Sequence, residues 1–450
     1  MQYKVLKFGG TSLGDAERIR AAAEIASQNE KCIVVCSAMA GITDKLINIS
    51  QLWCNGNTVL AKQTLDDLKR DFIRHCSELF ERKNHTASVF EYIDNRFKNA
   101  HKQMELFHSS EVVNQLLALG ELITSYIFNI YLEITGVRSS LLFATDIIYL
   151  NKEGLPVVED ISKRMQLRND LQNNSVFITQ GYICRDSEGK MANLGRGGSD
   201  YTATLIGAAT NADVIEIWTD IDGLHNNDPR HVENTLPVRK LSYEETAELA
   251  YFGAKILHPS CVRPAKEKNI PIILKNSMSP SSHGTIIHSK SNTCGIKAIA
   301  AKDDITILRI TSGRMLNAHG FMKKLFEIFD TYKTSVDVVT TSEVSVSITF
   351  EDRSNLFPML KAMNKLGRTN IETDRSIICI VGDMLHPGYV AEILSRIKRF
   401  DVRMISMGAS SNNITIVLPQ EQKVGALKAL HNLFEKHQEN KKNKHNSVLT

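Results

Sequence analysis

Apolar and polar positions follow two alternating rhythms over the first 300 residues. Tyr3–Phe8, Cys32–Ser37, Val176–Ile183, Val214–Thr219 and Ile270–Leu274 are short apolar runs with the length and composition of buried strands. Between them lie segments with helical spacing. In Asp15–Asn29, Ile19, Ala22, Ala23 and Ala26 fall on one face. Residues 58–134 read as mostly helical, and Tyr201–Asn211 and Ser242–Phe252 as further helices. Strands alternating with helices predict an α/β domain whose mostly parallel sheet is covered on both faces.

After about residue 298 the order changes. Ile305–Thr311 reads as a strand, His319–Tyr332 as a helix, Val336–Thr341 and Val344–Phe350 as strands, Leu356–Leu366 as a helix, with a strand near Ile371. That order, β-α-β-β-α-β, is the ferredoxin-like unit. A second copy follows in Ile377–Val381, Gly388–Phe400, Val402–Met407, Ile414–Leu418 and Gln422–Lys436, but it lacks a sixth strand. Either it is incomplete or strands are exchanged between the two units. The expected division is 1–298, 299–376, 377–437 and a tail, 438–450, too polar and charged to order itself.

Composition removes several classes. Lys+Arg number 54 and Asp+Glu 50, a net charge of +4, and four of the Lys lie at or beyond Lys436. The rest of the chain is nearly neutral, so a nucleic-acid binder, which needs a concentrated basic face, is not suggested. The eight Cys are scattered without a Cys-x-x-Cys pair, which predicts buried small hydrophobes rather than zinc ligands or a disulfide framework. The N-terminus MQYKVLKFGG has no signal-peptide core, and no run reads as a membrane span. A soluble, cytoplasmic chain is expected.

Candidate chemistry sits at strand ends. There is no G-x-x-x-x-G-K-[ST] and no G-x-G-x-x-G, so any nucleotide site belongs to another class. Lys7-Phe8-Gly9-Gly10-Thr11-Ser12 closes a strand with two Gly and two hydroxyls before a helix. Such a turn can point N–H groups at a phosphate, with Lys7 in reach, or be a plain Gly-rich turn. Gly195-Arg196-Gly197-Gly198-Ser199-Asp200 precedes the next helix. Arg196 could hold a carboxylate by its two-donor fork, and Asp200 could be functional or only an N-cap. Thr219-Asp220 ends another strand, where α/β sheets bind ligands. Arg230, in Asn227-Asp228-Pro229-Arg230, is a candidate phosphate contact, and Gly253 either belongs to a site with Lys255 or caps a helix. Glu121 lies within the apolar run LLALGELI, either facing a cation or on a narrow exposed stripe.

Taken together, KFGGTS at 7–12, SAMAGIT at 37–43, GRGGSD at 195–200, WTDIDG at 218–223, NDPR at 227–230 and FGAKILHP at 252–259 stand in the order found in aspartokinases. The repeated second half, with SVDVVTTSEVSVSIT at 335–349, resembles their tandem ACT regulatory domains. The resemblance covers residues 3–436 and is nearest to the monofunctional, lysine-sensitive type. It implies the amino acid kinase fold followed by two ACT domains, and transfer of the ATP γ-phosphoryl group to the side-chain carboxylate of L-aspartate. It implies Mg²⁺ on the phosphates, a homodimer through the ACT region and L-lysine as feedback inhibitor. By matching position, Lys7 and Asp200 would be catalytic, and Ser37, Thr43, Glu121, Arg196 and Ser199 would hold aspartate. Lys7, Phe8, Gly9, Gly10, Thr219, Asp220, His225, Arg230, Lys255 and Ile256 would bind ATP. Met315, Ala318, Phe321, Met322, Ser335, Val336, Asp337, Ser342 and Glu343 would line the lysine site. No metal ligand is assigned to a protein side chain.

The chain departs from the family pattern at three places. His225 stands where Tyr is common, Ala118 replaces the Ser of S-x-G-E, and Ala318 replaces a Ser of lysine-sensitive members. The alternatives are another amino acid kinase, which the tandem ACT half disfavours, and an amino-acid sensor with a dead kinase half, which intact Lys7, Arg196, Asp200 and Lys255 disfavour.

Overall fold

The structure, a computed structural model, describes residues 3–80, 83–105, 109–167, 175–254, 257–289, 295–315, 319–384 and 388–446. Its contacts divide the chain into two units. One holds Met1–Leu224, Pro237–Ala247 and Ile256–Ser291, and the other His225–Leu236, Glu248–Lys255 and Asn292–Thr450. The boundary expected at 298 thus falls at 291, and two short segments of the first half belong with the second.

The first unit is built on an eight-stranded sheet. Its order is Ser139–Leu142, Val176–Gln180, Cys32–Cys36, Lys4–Phe8, Val214–Thr219, Ile272–Asn276, Thr285–His288, Lys240–Ser242. All neighbours are parallel except Thr285–His288 against Ile272–Asn276. Cys32–Cys36 and Val176–Gln180 are buried at every position, as strands covered on both faces must be. Leu6, Phe8, Val34 and Trp218 share one core cluster with the helices Ala16–Ser27, Ile42–Cys54 and Leu119–Ile134. The opposite face carries the helix Gly198–Thr210. A side chain at Gly207 of that helix would run into Ile215, so Gly is what lets the helix lie on the sheet.

Several elements escaped the sequence pattern. Two helices, Ile42–Cys54 and Pro259–Glu267, lie outside the segments read as helical. The strands Ser139–Leu142, Thr285–His288 and Lys240–Ser242 are too short to show a period. Ser110–Ile134 is as apolar as a membrane span, contrary to the sequence reading, but it is two helices that meet at Ala118, and 67% of its most apolar window is buried inside the protein. Of the cysteines, Cys32, Cys36, Cys76, Cys184, Cys261 and Cys379 are buried free thiols, as expected of small hydrophobes, and Cys54 is exposed.

The second unit resolves the missing strand. It is one six-stranded antiparallel sheet in the order Val339–Thr341, Ser345–Phe350, Ile296–Thr311, Arg368–Gly382, Asn413–Pro419, Met404–Met407. Two of these strands are long enough to serve both repeats. Residues 305–311 of one pair with 368–375 of the other and with Ser345–Phe350, which makes the first repeat's sheet. Residues 296–302 pair with 377–382, which pair with Asn413–Pro419, and make the second's. The sixth strand of the second repeat therefore lies before the first repeat. A register shift between Lys302 and Ile305 marks the joint. Each half has its own apolar cluster, one around Phe329, Phe350 and Met359, the other around Ile380, Ile416 and Leu430. The last helix, Lys423–Asn446, runs well into the segment expected to be disordered.

Candidate active site

Lys4–Phe8 lies between two parallel partners, so its end, Cys36 and Trp218 share one edge of the sheet. The chain turns there at Gly9, whose N–H donates to the Trp218 carbonyl at 3.0 Å. Gly10 passes so near the Ala38 carbonyl that a Cβ would stand 2.8 Å from it. A short 3-10 turn, Gly10–Leu13, follows. Ser12 pins it, with its Oγ 2.7 Å from Ser277 Oγ and 3.2 Å from the Trp218 carbonyl oxygen. Sequence reading missed Ser277, which is remote in sequence and has no motif around it. The helix beyond begins at Ala16 and is capped by the Asp15 side chain, which accepts from the Arg18 N–H at 2.9 Å. The Asp15 side chain thus satisfies one N–H of its first turn.

Lys7 is 8% exposed, and its Nζ stands 2.6 Å from Asp200 Oδ1. The contact is an ion pair without an aligned hydrogen bond at Oδ1, which is otherwise buried and unpartnered. Asp200 is not the N-cap. The helix begins at Gly198 after Gly197, which has φ 72° and gives no side-chain cap. That places Asp200 in the first turn. A Cβ at Gly197 would stand 2.4 Å from the Cβ of His258, and one at Gly198 2.8 Å from the Tyr182 ring, so both glycines are demanded by close approach.

A cavity of about 660 Å³ opens at this edge. Lys7, Gly10, Ser37, Thr43, Glu121, Arg196, Ser199 and Asp200, from four separate stretches of chain, all line it. Its size suits a small-molecule site. Two 13-residue helices, Ile42–Cys54 and Gly198–Thr210, start on its wall, each after a left-handed Gly and without a side-chain cap. Their N-terminal dipoles favour anionic groups in the cavity. Glu121 adds a carboxyl to the same lining. It is 3% exposed, and its Oε2 is buried without a hydrogen-bond partner. Burial pushes its carboxyl up to about 8, against hydrogen bonds from the N–H groups of Glu121 and Ala38. Burial, with Glu121 second, also pushes the neighbouring Tyr182 phenol up to about 12. The exposed-stripe reading of Glu121 is excluded.

The other ATP-side residues divide. Phe8 sends its side chain into the core beside Phe128 and Trp218, which leaves only its backbone for a ligand. Thr219 ends its strand on the same sheet edge, where its Oγ1 accepts from the Ile221 N–H at 3.1 Å, and Asp220 is exposed next to it. His225 and Arg230 fall in the second unit. There the His225 ring pairs with Thr235 at 2.8 Å, and Arg230 grips Asp228 with two nitrogens, the shortest contact 2.6 Å. Lys255 and Ile256 lie outside the described residues, as does Ala318 of the effector set.

The amino acid kinase family profile matches residues 2–276, and an ACT domain profile matches residues 378–434. Aspartokinase 3, chloroplastic, of Arabidopsis thaliana is 33% identical over 96% of this chain and 81% of its own. Lysine-sensitive aspartokinase 3 of Escherichia coli (strain K12) is 31% identical over 96% of this chain and 99% of its own. The chain belongs to the aspartokinase family. The crystal structure of E. coli aspartokinase III in complex with aspartate and ADP (R-state) matches 96% of this chain and 99% of its own, with TM-score 0.85 and 29% identity. The same enzyme in complex with lysine and aspartate (T-state) matches 96% of this chain and 100% of its own, with TM-score 0.78 and 30% identity. This aspartokinase is therefore a kinase, an amino acid kinase fold followed by ACT-type domains.

The described effector residues lie in the first repeat of the second unit. Phe321 is buried in its core, with Met315, Met322 and Val336 packed partly against it. Ser335, Ser342 and Glu343 are exposed, and Ser342 closes a turn onto Ser345. Asp337 is almost wholly buried, with a side chain 4% exposed.

Proposed function

We propose that this aspartokinase transfers the γ-phosphoryl group of ATP to the side-chain carboxylate of L-aspartate in the cavity between Lys7–Asp200 and Glu121. One observation carries the assignment: a single cavity is lined by a buried ammonium, two helix N-termini and a buried carboxyl with one oxygen free of hydrogen bonds. Aspartate has two carboxylates and one ammonium, and phosphoryl transfer needs positioning and charge stabilisation more than covalent chemistry. Glu121 takes the ammonium. Arg196, with Ser37, Thr43 and Ser199, takes the carboxylates. Lys7 meets charge on the moving phosphoryl group, and Asp200 holds Lys7 in place. ATP lies toward Gly9–Gly10 and Thr219, with Asp220 beside Thr219 as a further contact.

Among the described residues no three acidic, His or Cys side chains form a metal cage. That fits Mg²⁺ carried on ATP, which uses one or two carboxylates with substrate phosphates, and Asp200, on the cavity wall, is the carboxylate that would reach it. When bound, the ion neutralises phosphate charge. A hydroxamate assay on the purified chain with aspartate, glutamate and acetylglutamate tests the substrate. Hydroxamate from aspartate alone is expected, and turnover of another substrate in preference to it refutes the reading.

The same proposal includes feedback inhibition by L-lysine at Met315–Met322 and Ser335–Glu343 and a homodimer through the ACT half. Support comes from the lysine-sensitive relative and from the exposed apolar residues Val344, Ile405 and Met407 near the two sheet edges. A reducing, cytoplasmic setting suits the free cysteines. Inhibition by lysine but not threonine or methionine, and twice the chain mass in sedimentation, are the expected results. Inhibition by threonine alone, or a monomer, refutes the respective part.

A further inference from the structure

Of the acidic side chains in the effector segments, Asp337 and Glu343, only Asp337 is taken out of water. Its Oδ1 accepts from the Tyr251 hydroxyl at 3.0 Å and from the Lys302 ammonium at 3.0 Å, while its Oδ2 is buried without a hydrogen-bond partner. The Tyr251 hydroxyl also lies 3.3 Å from the Val336 carbonyl oxygen, and the Lys302 ammonium lies 5.3 Å from the centre of its ring. Burial, with Asp337 second, pushes the Tyr251 phenol up to about 12, so it keeps its proton and donates.

Lys302 has two carboxylates. It stands 3.0 Å from buried Asp337 and 2.9 Å from Glu351, which is 57% exposed. Burial disfavours its charge, but Glu351 and Asp337 outweigh burial and hold the ammonium above its ordinary range. Its place in the fold is set by the shared strand. Lys302 is the last residue paired with the second repeat before the register shift, and Asp304, with φ 60°, follows. The ammonium is therefore fixed at the joint of the two repeats, whose pairing no short stretch of sequence reveals.

We propose that Lys302 is a tethered ammonium that occupies Asp337 in the effector-free chain, and that an amino-acid effector binds by displacing it onto Glu351. The proposal rests on the reading of Asp337 as the contact for an effector ammonium. Two ammonium groups on one buried carboxylate repel each other. Glu351 gives Lys302 a partner when it leaves, so neither charge is stranded. Binding is then an exchange, and effector affinity reflects the difference between two ammonium contacts rather than one whole contact. Lys302 and its exposed partner Glu351 should therefore act on effector affinity with opposite sign, which a purely structural role would not produce.

The test is lysine titration calorimetry on the full chain, with thermal melts as a folding control. Lys302→Met should tighten lysine binding by roughly tenfold or more, the scale of one charged hydrogen bond, and Glu351→Gln should weaken it. A second arm does not depend on lysine being the effector. Butylamine should raise the melting temperature of Lys302→Met, whose Asp337 lacks a cation, at concentrations that leave the wild type unmoved. Selective butylamine stabilisation with no lysine binding to any form supports the tethered ammonium and refutes the lysine reading. Unchanged or weaker lysine binding in Lys302→Met, together with no selective butylamine effect, overturns the proposal.

Discussion

Glu121 makes the affinity for aspartate depend on pH in a calculable way. Its carboxyl is pushed up to about 8, chiefly by burial, and one carboxylate oxygen has no partner. In the empty site at pH 7 only about one molecule in eleven carries the anion that an ammonium needs. Apparent aspartate affinity should scale with that fraction. The apparent KM should therefore fall about eightfold between pH 7.0 and 8.5, with half the anion formed near pH 8. The range stops at 8.5 so that the substrate ammonium stays protonated. Glu121→Gln keeps the shape but cannot ionise. It should raise the KM for aspartate, flatten its pH dependence and leave the KM for ATP nearly unchanged. Initial rates at saturating ATP across this range decide the matter. A flat wild-type profile, or a slope that survives in Glu121→Gln, would refute the assignment of Glu121 to the substrate ammonium. Stability has a definite sign too. A carboxyl raised in the folded state favours folding in its protonated form, so this contribution is full below the unfolded value and lost as pH rises through the folded one. Between pH 5 and 8 the ligand-free wild type should lose more melting temperature than Glu121→Gln.

Lys7→Ala should lower kcat by at least about 10²-fold with a smaller change in the KM for aspartate, because charge on the phosphoryl group peaks in the transition state. A near-normal kcat would remove Lys7 from the mechanism. Arg196→Lys retains charge and loses the two-donor fork, so aspartate binding should weaken by roughly tenfold with ATP binding kept. Loss of ATP affinity alone would reassign Arg196. At Gly181 a Cβ would stand 2.5 Å from the Ser199 side chain. Gly181→Ala should push the start of the helix Gly198–Thr210 off the cavity and cost about 1–3 kcal/mol of stability, seen as a lower melting temperature with reduced activity. Wild-type activity in that variant would show that the helix start has room to move.

Much of the active site is legible in the sequence because its residues sit at strand ends marked by glycine. Lys7, Gly10, Arg196 and Asp200 stand in such turns, and the structure brings them to one cavity. What the sequence could not settle depended on environment. Glu121 is equally well written as an exposed helical Glu or a buried one; only the packing of Leu119–Ile134 into the core shows it buried and raised. Asp200 could have capped its helix, until Gly197 took that place and freed the carboxylate for Lys7. The helix Ile42–Cys54 went unread because a left-handed Gly41, rather than a capping side chain, starts it.

In the second half the local order β-α-β-β-α-β was readable from periodicity, since each strand and helix carries its own apolar pattern. The partner of each strand was not. The sixth strand of the second repeat is residues 296–302, about 80 positions before the strand it pairs with. Hydrogen bonding between strands is set by backbone groups that every residue has. The sequence therefore determined which segments are strands and where the chemistry stands along them. Only the folded sheet, by joining backbones far apart in the chain, decided that Lys302 meets Asp337.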